Sequence, residues 1–358
     1  MSRKLNIVIF GIGNVGSTLI NQICEAQPKL LAQQNLNITI PIITNSKLAF
    51  FETNGVSKTW EFDFDTGSVP YTIDDIVAYV KSHQLENLIA VDATASTDFV
   101  QNYIPLIENG FHIVSANKIA NTLSYGFYGQ LRLTLKKYNK AFLYETNVGA
   151  GLPIIETIKR LYDSGENIQK IRGVFSGSLS YIFNSFSNED IAFSEILNQA
   201  GILGLTEPDA REDLSGNDVA RKLLILAREL NLKKEIQDVS IESLVPKQLN
   251  GKTTLLQFKT RAKELDVPFL KIKSEQSENC VLRYVGELDV SNNTLEVKLV
   301  SEHKTSAIGQ LKGADSIVEI YSDSYREFPL VIQGAGAGKS VTARGLFSDI
   351  LKLSHSLN

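Results

Sequence analysis

The sequence predicts an α/β chain in two parts: a doubly wound parallel sheet over residues 1–144, then an α+β domain with an antiparallel sheet over 145–330. Three observations predict it. Apolar runs rich in β-branched residues alternate with helical spacings up to about residue 145, the rhythm of βαβ units. The first of those runs ends in a glycine loop, GIGNVG (11–16). The later strands alternate apolar with polar residues, as strands do when one face of their sheet meets water.

Taken in order, LNIVIF (5–10) is the first strand, and STLINQICEAQ continues from the glycine loop with helical spacing at Leu19, Ile20, Ile23 and Cys24. LNITIPIIT (36–44) is the second strand. TIDDIVAYVKSH (72–83) is a helix that Thr72 caps, with apolar residues at 73, 76, 77 and 80. NLIAVDAT (87–94) is a buried strand, a helix follows near 98–109, and GFHIVSANK (110–118) is strand again. Beyond the change of rhythm come GVFSGSLSYIFN (173–184), a charged stretch, and a helix of about fifteen residues from Gly216. CVLRYVGEL, TLEVKLV and SIVEIYS are the later strands. PLVIQ, GAGAGKS and SVTARGLFSDILKL then read as strand, glycine loop and helix.

Composition agrees with this division. The 358 residues make two domains at about 150 residues each, and 43% apolar residues are ample for their cores. A net charge of −4 leaves no basic footprint for nucleic acid. Cys24 and Cys280 stand in neither a CxxC nor a zinc spacing, which fits a reducing compartment. No signal peptide or membrane span is legible, so the expectation is a soluble, cytoplasmic protein with no nucleic-acid or membrane partner.

GIGNVG matches GxGxxG, with a strand before it and a helix after. That is the Rossmann context, in which glycines admit a pyrophosphate to the backbone and the helix N-terminus receives its charge. Gly11, Ile12, Gly13, Asn14, Val15 and Gly16 are therefore candidate cofactor residues. An NAD-type chain would end its second strand in a carboxylate. This one ends TNSK, with Asn45 and Lys47, which leans toward NADP(H) over NAD(H), unless Lys47 is only a solvated loop charge. GAGAGKS (334–340) has Gln333 where an NTP-binding loop needs a small residue, and only eighteen residues follow Ser340, so it reads as a glycine turn packed near a ligand or simply as a tight turn.

The densest charge lies in TEPDAREDLSGNDVARK (206–222), directly before an apolar helix. A metal site would mix histidine with the carboxylates, yet His83, His112, His303 and His355 all lie elsewhere in the sequence. A capped helix start is the plainer reading, since Ser215-x-x-Asp218 resembles a capping box and acidic groups suit a helix N-terminus. It leaves Lys222 unexplained, four residues after Asp218 on the same face. A surface ion pair worth about 0.3–0.5 kcal/mol would account for that lysine as well as a catalytic role would.

Together with VDAT (91–94), SANK (115–118), YETNVGAGLP (144–153), SGSLSYIFN (176–184), GLTEPDAREDLSGNDVARK (204–222) and QGAGAGKSVTARG (333–345), the glycine loop makes the chain resemble the homoserine dehydrogenases, in particular the dehydrogenase half of bifunctional aspartokinase–homoserine dehydrogenases. The resemblance covers nearly the whole chain. It implies a free-standing enzyme that reversibly reduces aspartate 4-semialdehyde to homoserine with NAD(P)H, on the way to threonine, methionine and isoleucine. It implies Lys222 as general acid in reduction and base in oxidation, with Lys118 polarising the same oxygen. Glu207 and Asp213 would hold the substrate with the backbone at Gly204 and Thr206, and Asp218 would orient Lys222. Thr94, Ser115, Lys118 and Gly338 would join the cofactor site. In YETNVGAGLP, Glu145 and the carbonyls of Val148, Ala150 and Leu152 would bind a sodium ion, or the stretch would be a glycine-rich turn. The antiparallel sheet would pair with its copy in a homodimer. Residues 331–358 would return to the nucleotide domain, and, ending at SHSLN, the chain would lack an ACT domain and show weak or absent threonine inhibition. Two rivals remain: a catalytically inactive dinucleotide-binding sensor, and a reductase of another amino-acid semialdehyde. Intact lysines count against the first, while the lack of a nucleophilic cysteine in a strand-end motif counts only against the acylating relatives.

Overall fold

Strand β1 (Arg3–Phe10) is buried from Leu5 to Phe10, as a strand must be when helices cover both faces of its sheet. In the computed structural model, residues 3–251 and 253–356 are described. The chain divides into two units, Met1–Gly151 with Gly338–Asn358, and Leu152–Ala337.

The first unit holds a seven-stranded sheet of β1, β2 (Leu36–Thr44), β3 (Leu48–Phe51), β4 (Val69–Pro70), β5 (Leu88–Asp92), β6 (His112–Ser115) and β7 (Phe142–Leu143). Its order is β4-β3-β2-β1-β5-β6-β7. β2, β1, β5, β6 and β7 run parallel, and β3 and β4 turn back antiparallel at one edge. The chain winds outward from β1 to β2 and later returns to β5 on the other side of β1, which opens a crevice at the C-terminal ends of β1 and β5. Thr72 caps the helix Ile73–Ser82 as expected, in a full capping box with Asp75. The single helix expected near 98–109 is instead two, Thr97–Val100 and Tyr103–Glu108.

The C-terminal helix Lys339–Ser356 belongs to this unit. Ala343, Leu346, Phe347, Ile350 and Leu353 recur at helical spacing and share one core with Leu19, Ile20 and Ile23 of the helix Asn14–Gln34. Each buried Leu, Ile or Phe among them contributes about 1.5–3 kcal/mol by leaving water.

The second unit is a six-stranded sheet of β8 (Ile168–Val174), β9 (Val239–Ile241), β10 (Cys280–Asp289), β11 (Thr294–His303), β12 (Ser316–Ser322) and β13 (Leu330–Gly334), in the order β13-β12-β8-β10-β11-β9. The expectation of an antiparallel sheet needs one amendment: β9 pairs parallel with β11 at the edge. The helices Gly177–Asn188 and Asn217–Glu229 pack on β10. Gly286 makes that approach possible, because a Cβ there would come within 2.9 Å of Val219 and 3.1 Å of Leu223. No described helix is long and apolar enough to cross a membrane.

Candidate functional site

In the first unit the candidate cofactor residues collect at the C-terminal edge of the parallel strands. Gly11 has φ +93°, and Gly16 lies so close beneath it that a Cβ would sit 1.9 Å from the Gly11 carbonyl oxygen. Nothing stands near a Cβ built on Gly13, which opens the helix Asn14–Gln34 without a side-chain cap and with no acidic residue in its first turn. A bare helix N-terminus on a glycine loop is suited to a pyrophosphate. Ile12 and Val15 pack against the core and hold the loop to the sheet.

After β2, the Asn45 side chain accepts the N–H groups of Lys47 and Leu48 at 2.8 and 2.7 Å, leaving Lys47 exposed at the tip. Thr94 follows β5 and Lys118 follows β6, each half-buried. Ser115 is fully buried. Its hydroxyl accepts the Asn117 N–H at 2.9 Å and bonds Tyr103 at 2.7 Å, and its carbonyl accepts Thr146 Oγ1 and Asn147 Nδ2. These bonds hold the loop after β6 together. Gly338, at φ +113°, begins the C-terminal helix, and Gln22 of the glycine-loop helix donates to the Ser340 carbonyl at 3.2 Å.

The lysine helix Asn217–Glu229 dominates the second unit's site. Gly216, at φ +77°, is its N-cap, and a Cβ there would collide with the Tyr284 hydroxyl at 2.2 Å. The expected capping box is absent. Ser215 Oγ accepts the Asn217 N–H and donates to the Glu212 carbonyl, because the left-handed turn at Gly216 carries the chain into the helix without a side-chain cap. Asp218 is thereby released from capping. Its carboxylate meets Lys222 Nζ at 2.8 Å, and the same nitrogen donates to the Phe175 carbonyl at 2.6 Å. Lys222 is only 7% exposed, so a surface ion pair does not describe it. Burying an ammonium is costly unless it is paired and hydrogen-bonded, and both conditions are met.

Asp213, in the short helix Arg211–Leu214, accepts the Ser178 hydroxyl at 2.7 Å and the Glu207 N–H at 2.9 Å. Burial pushes its carboxyl above the usual range and the Asp218 charge adds to that, while the Ser178 and Glu207 hydrogen bonds oppose it. Glu207 and Gly204 are exposed, with Gly204 at φ +68°. Thr206 and Glu207 also line a cavity of about 1090 Å³ bounded by the helices Phe193–Ile202 and Leu255–Arg261; Lys222 and Asp213 are not in its wall. Chemically, the site offers a buried ammonium beside carboxylates, a set able to pass a proton and to grip a cationic group.

Sequence reasoning missed Ser178 and the Phe175 carbonyl, which hold Asp213 and Lys222. It also missed Arg211, which pairs with Asp209 and donates to the Thr253 carbonyl at 2.7 Å. Ser178 lies inside SGSLSYIFN, but no spacing singles out one serine of three.

Around YETNVGAGLP, Val148 and Ala150 are buried and Ala150 has φ +52°. Among the described residues no three histidine, cysteine or carboxylate side chains cluster to hold a metal.

Comparison with known proteins adds the family. A model described as homoserine dehydrogenase matches residues 153–351, and one described as homoserine dehydrogenase, NAD binding domain, matches residues 11–145. A bifunctional aspartokinase/homoserine dehydrogenase of Buchnera aphidicola is 39% identical over 353 residues, which is 98% of this chain and 43% of that protein. The chain thus spans less than half the length of such curated relatives. A Candida auris protein of unknown function has a crystal structure with a TM-score of 0.90 and 32% identity, covering 99% of both chains. A hyperthermophilic archaeal homoserine dehydrogenase in complex with NADPH shares the fold, with a TM-score of 0.74, 22% identity and 99% of both chains covered.

Proposed function

The chain belongs to the homoserine dehydrogenase family, and from that premise we propose that it interconverts aspartate 4-semialdehyde and homoserine with a nicotinamide dinucleotide. The observation that carries this reading is Lys222: a buried lysine held at 2.8 Å by Asp218, beside a second carboxylate, Asp213, that accepts Ser178 and the Glu207 N–H. The dinucleotide, when bound, supplies the hydride that becomes the new C–H bond. Lys222 gives the proton that turns the aldehyde oxygen into a hydroxyl, and takes it back in oxidation. Lys118, at the cofactor edge of the parallel sheet, polarises that oxygen. Glu207 and Asp213 grip the substrate's ammonium and hydroxyl ends, with the backbone at Gly204 and Thr206 closing around them.

The residues at the glycine loop suit a dinucleotide. Gly11 to Gly16, Thr94 and Gly338 would hold its phosphates and ribose. NADP(H) is the preferred form in this reading, supported by the lack of a carboxylate at the end of β2 and by the exposed Lys47 beside Asn45. Glu145 with the carbonyls of Val148, Ala150 and Leu152 is proposed to bind sodium; an all-oxygen set with one formal charge matches a hard monovalent cation. A homodimer is supported by β13, a sheet-edge strand with Val331 and the neighbouring Phe328 exposed.

The test is initial rate with homoserine and either NADP⁺ or NAD⁺, followed by absorbance of the reduced cofactor. Turnover with a clear NADP⁺ preference is expected. A folded protein that binds a dinucleotide but turns over homoserine with neither cofactor would overturn the reading in favour of a sensor or of another semialdehyde.

A further inference from the structure

Asp92 closes β5 and has no part in the reaction proposed above, yet it is 1% exposed and its hydrogen bonds run to the loops at the cofactor edge. Oδ1 accepts the Thr94 N–H at 2.8 Å. Oδ2 accepts Asn117 Nδ2 at 3.0 Å and the Tyr103 hydroxyl at 2.8 Å. Asn117 carries the connection onward: its Nδ2 also donates to the Ser96 carbonyl at 2.9 Å, and its Oδ1 accepts the Ile119 N–H at 3.1 Å. Between Asn117 and Ile119 stands Lys118, whose own carbonyl accepts the Asn121 N–H at 3.1 Å and Thr122 Oγ1 at 3.2 Å.

A buried carboxylate is a costly way to fill space, and an apolar side chain of similar volume often serves stability as well. Burial does push the Asp92 carboxyl above its usual range, against the hydrogen bonds from Thr94, Tyr103 and Asn117. What the carboxylate supplies that an apolar residue cannot is direction, because two acceptor oxygens bind two different loops at once.

We propose that Asp92 is a positioning residue for the reaction. Through Asn117 it fixes the turn that presents Lys118, and through Thr94 it fixes the turn beside the glycine loop. The inference rests on the role given to Lys118 above.

An amide at position 92 cannot satisfy both loops. If its nitrogen takes the place of Oδ2 it faces the Asn117 NH₂ donor, and if it takes the place of Oδ1 it faces the Thr94 N–H. Exchanging the pair, Asp92→Asn with Asn117→Asp, restores an amide–carboxylate contact and still offers an oxygen to the Ile119 N–H. Tyr103→Phe removes a hydrogen bond from the same carboxylate and one from Ser115 Oγ, but leaves the Thr94 and Asn117 bonds to Asp92 in place. Misplacing a reacting group by about 1 Å costs roughly a hundredfold in rate, so Asp92→Asn is expected to lower kcat about tenfold or more, with the homoserine KM nearly unchanged. The exchanged pair is expected to recover part of that loss, and Tyr103→Phe to lower the thermal midpoint while keeping kcat.

The proposal is overturned if Asp92→Asn keeps wild-type kcat, or if Tyr103→Phe lowers kcat as much as Asp92→Asn does. Should Asp92→Asn not fold, Asn117→Ala carries the same kcat measurement. Lys118→Met run in parallel separates the premises. An unimpaired Lys118→Met removes the role of Lys118 and this proposal with it, whereas a slow Lys118→Met beside an unimpaired Asp92→Asn removes the positioning role alone.

Discussion

In the nucleotide unit the candidate site is made of main chain: Gly11, Gly13 and Gly16 act by what they lack, and a Cβ on Gly16 would sit 1.9 Å from a carbonyl oxygen. In the unit Leu152–Ala337 it is made of side chains, with Lys222 on Asp218 and the Phe175 carbonyl, and Asp213 on Ser178. The two therefore fail differently. A backbone site rejects any added carbon and tolerates little chemistry, while a side-chain site keeps its shape when its chemistry is removed.

Lys222→Ala is the strongest way to break that contrast. Its removal takes away the proposed proton donor and leaves the helix seated on Gly286, so kcat with homoserine is expected to fall by more than about a hundredfold, with dinucleotide affinity little changed by fluorescence titration. A loss of folding instead would show that the buried ammonium is structural. Gly16→Ala is the counterpart and should do the reverse. The new methyl forces the loop from the Gly11 carbonyl, weakening dinucleotide binding about tenfold or more and costing about 1–3 kcal/mol of stability, measured by titration and by denaturant unfolding. An alanine variant with wild-type affinity would show that the loop is not the phosphate cradle.

The same contrast explains what the sequence could tell. The parallel strands and GIGNVG were readable because continuous apolar runs and glycine spacing are local signals, and β1, β2, β5 and β6 fall where those runs predict. Lys222 stood out because it follows Asp218 by four residues, one turn into an apolar helix, although a surface ion pair explained that spacing as well as catalysis did. Its partners did not stand out. The Phe175 carbonyl is 47 residues away, and Ser178 is 35 residues from Asp213, so only the folded sheet brings them together. The capping box failed for a related reason: Ser215 and Asp218 had the right spacing, but Gly216 takes a left-handed conformation under Tyr284, which no pattern of side chains announces. The parallel pairing of β9 is likewise a long-range outcome that three residues of sequence cannot encode.

Lys47→Ala sharpens the contrast from the nucleotide side, where one exposed charge is proposed to add specificity to a backbone site. The ratio of kcat/KM for NADP⁺ over NAD⁺ should fall a few fold to about tenfold, with kcat for NAD⁺ unchanged. An unaltered ratio would make Lys47 a solvated loop charge.

The smallest effect should lie in His112, where the nucleotide unit buries a titratable group away from the cofactor edge. Its ring is 6% exposed and Nδ1 accepts the Ala141 N–H at 3.0 Å, which requires the neutral form. Burial lowers its pKa to about 4, helped by the neighbouring Lys140 charge. In the unfolded chain the imidazole takes its proton near pH 6.5, so between that value and about 4 the unfolded state holds one proton more than the folded state. Stability then falls as pH falls through this window, by at most about 1.4 kcal/mol per pH unit from this group, and is fully present above it. His112→Asn keeps an acceptor for the Ala141 N–H and removes the titration. Its thermal midpoint should decline less steeply than wild type from pH 6.5 to 4.5 while activity at neutral pH is retained. Parallel curves for the two proteins would mean that other groups account for the acid loss, and a lower neutral-pH midpoint in the variant would report on packing alone.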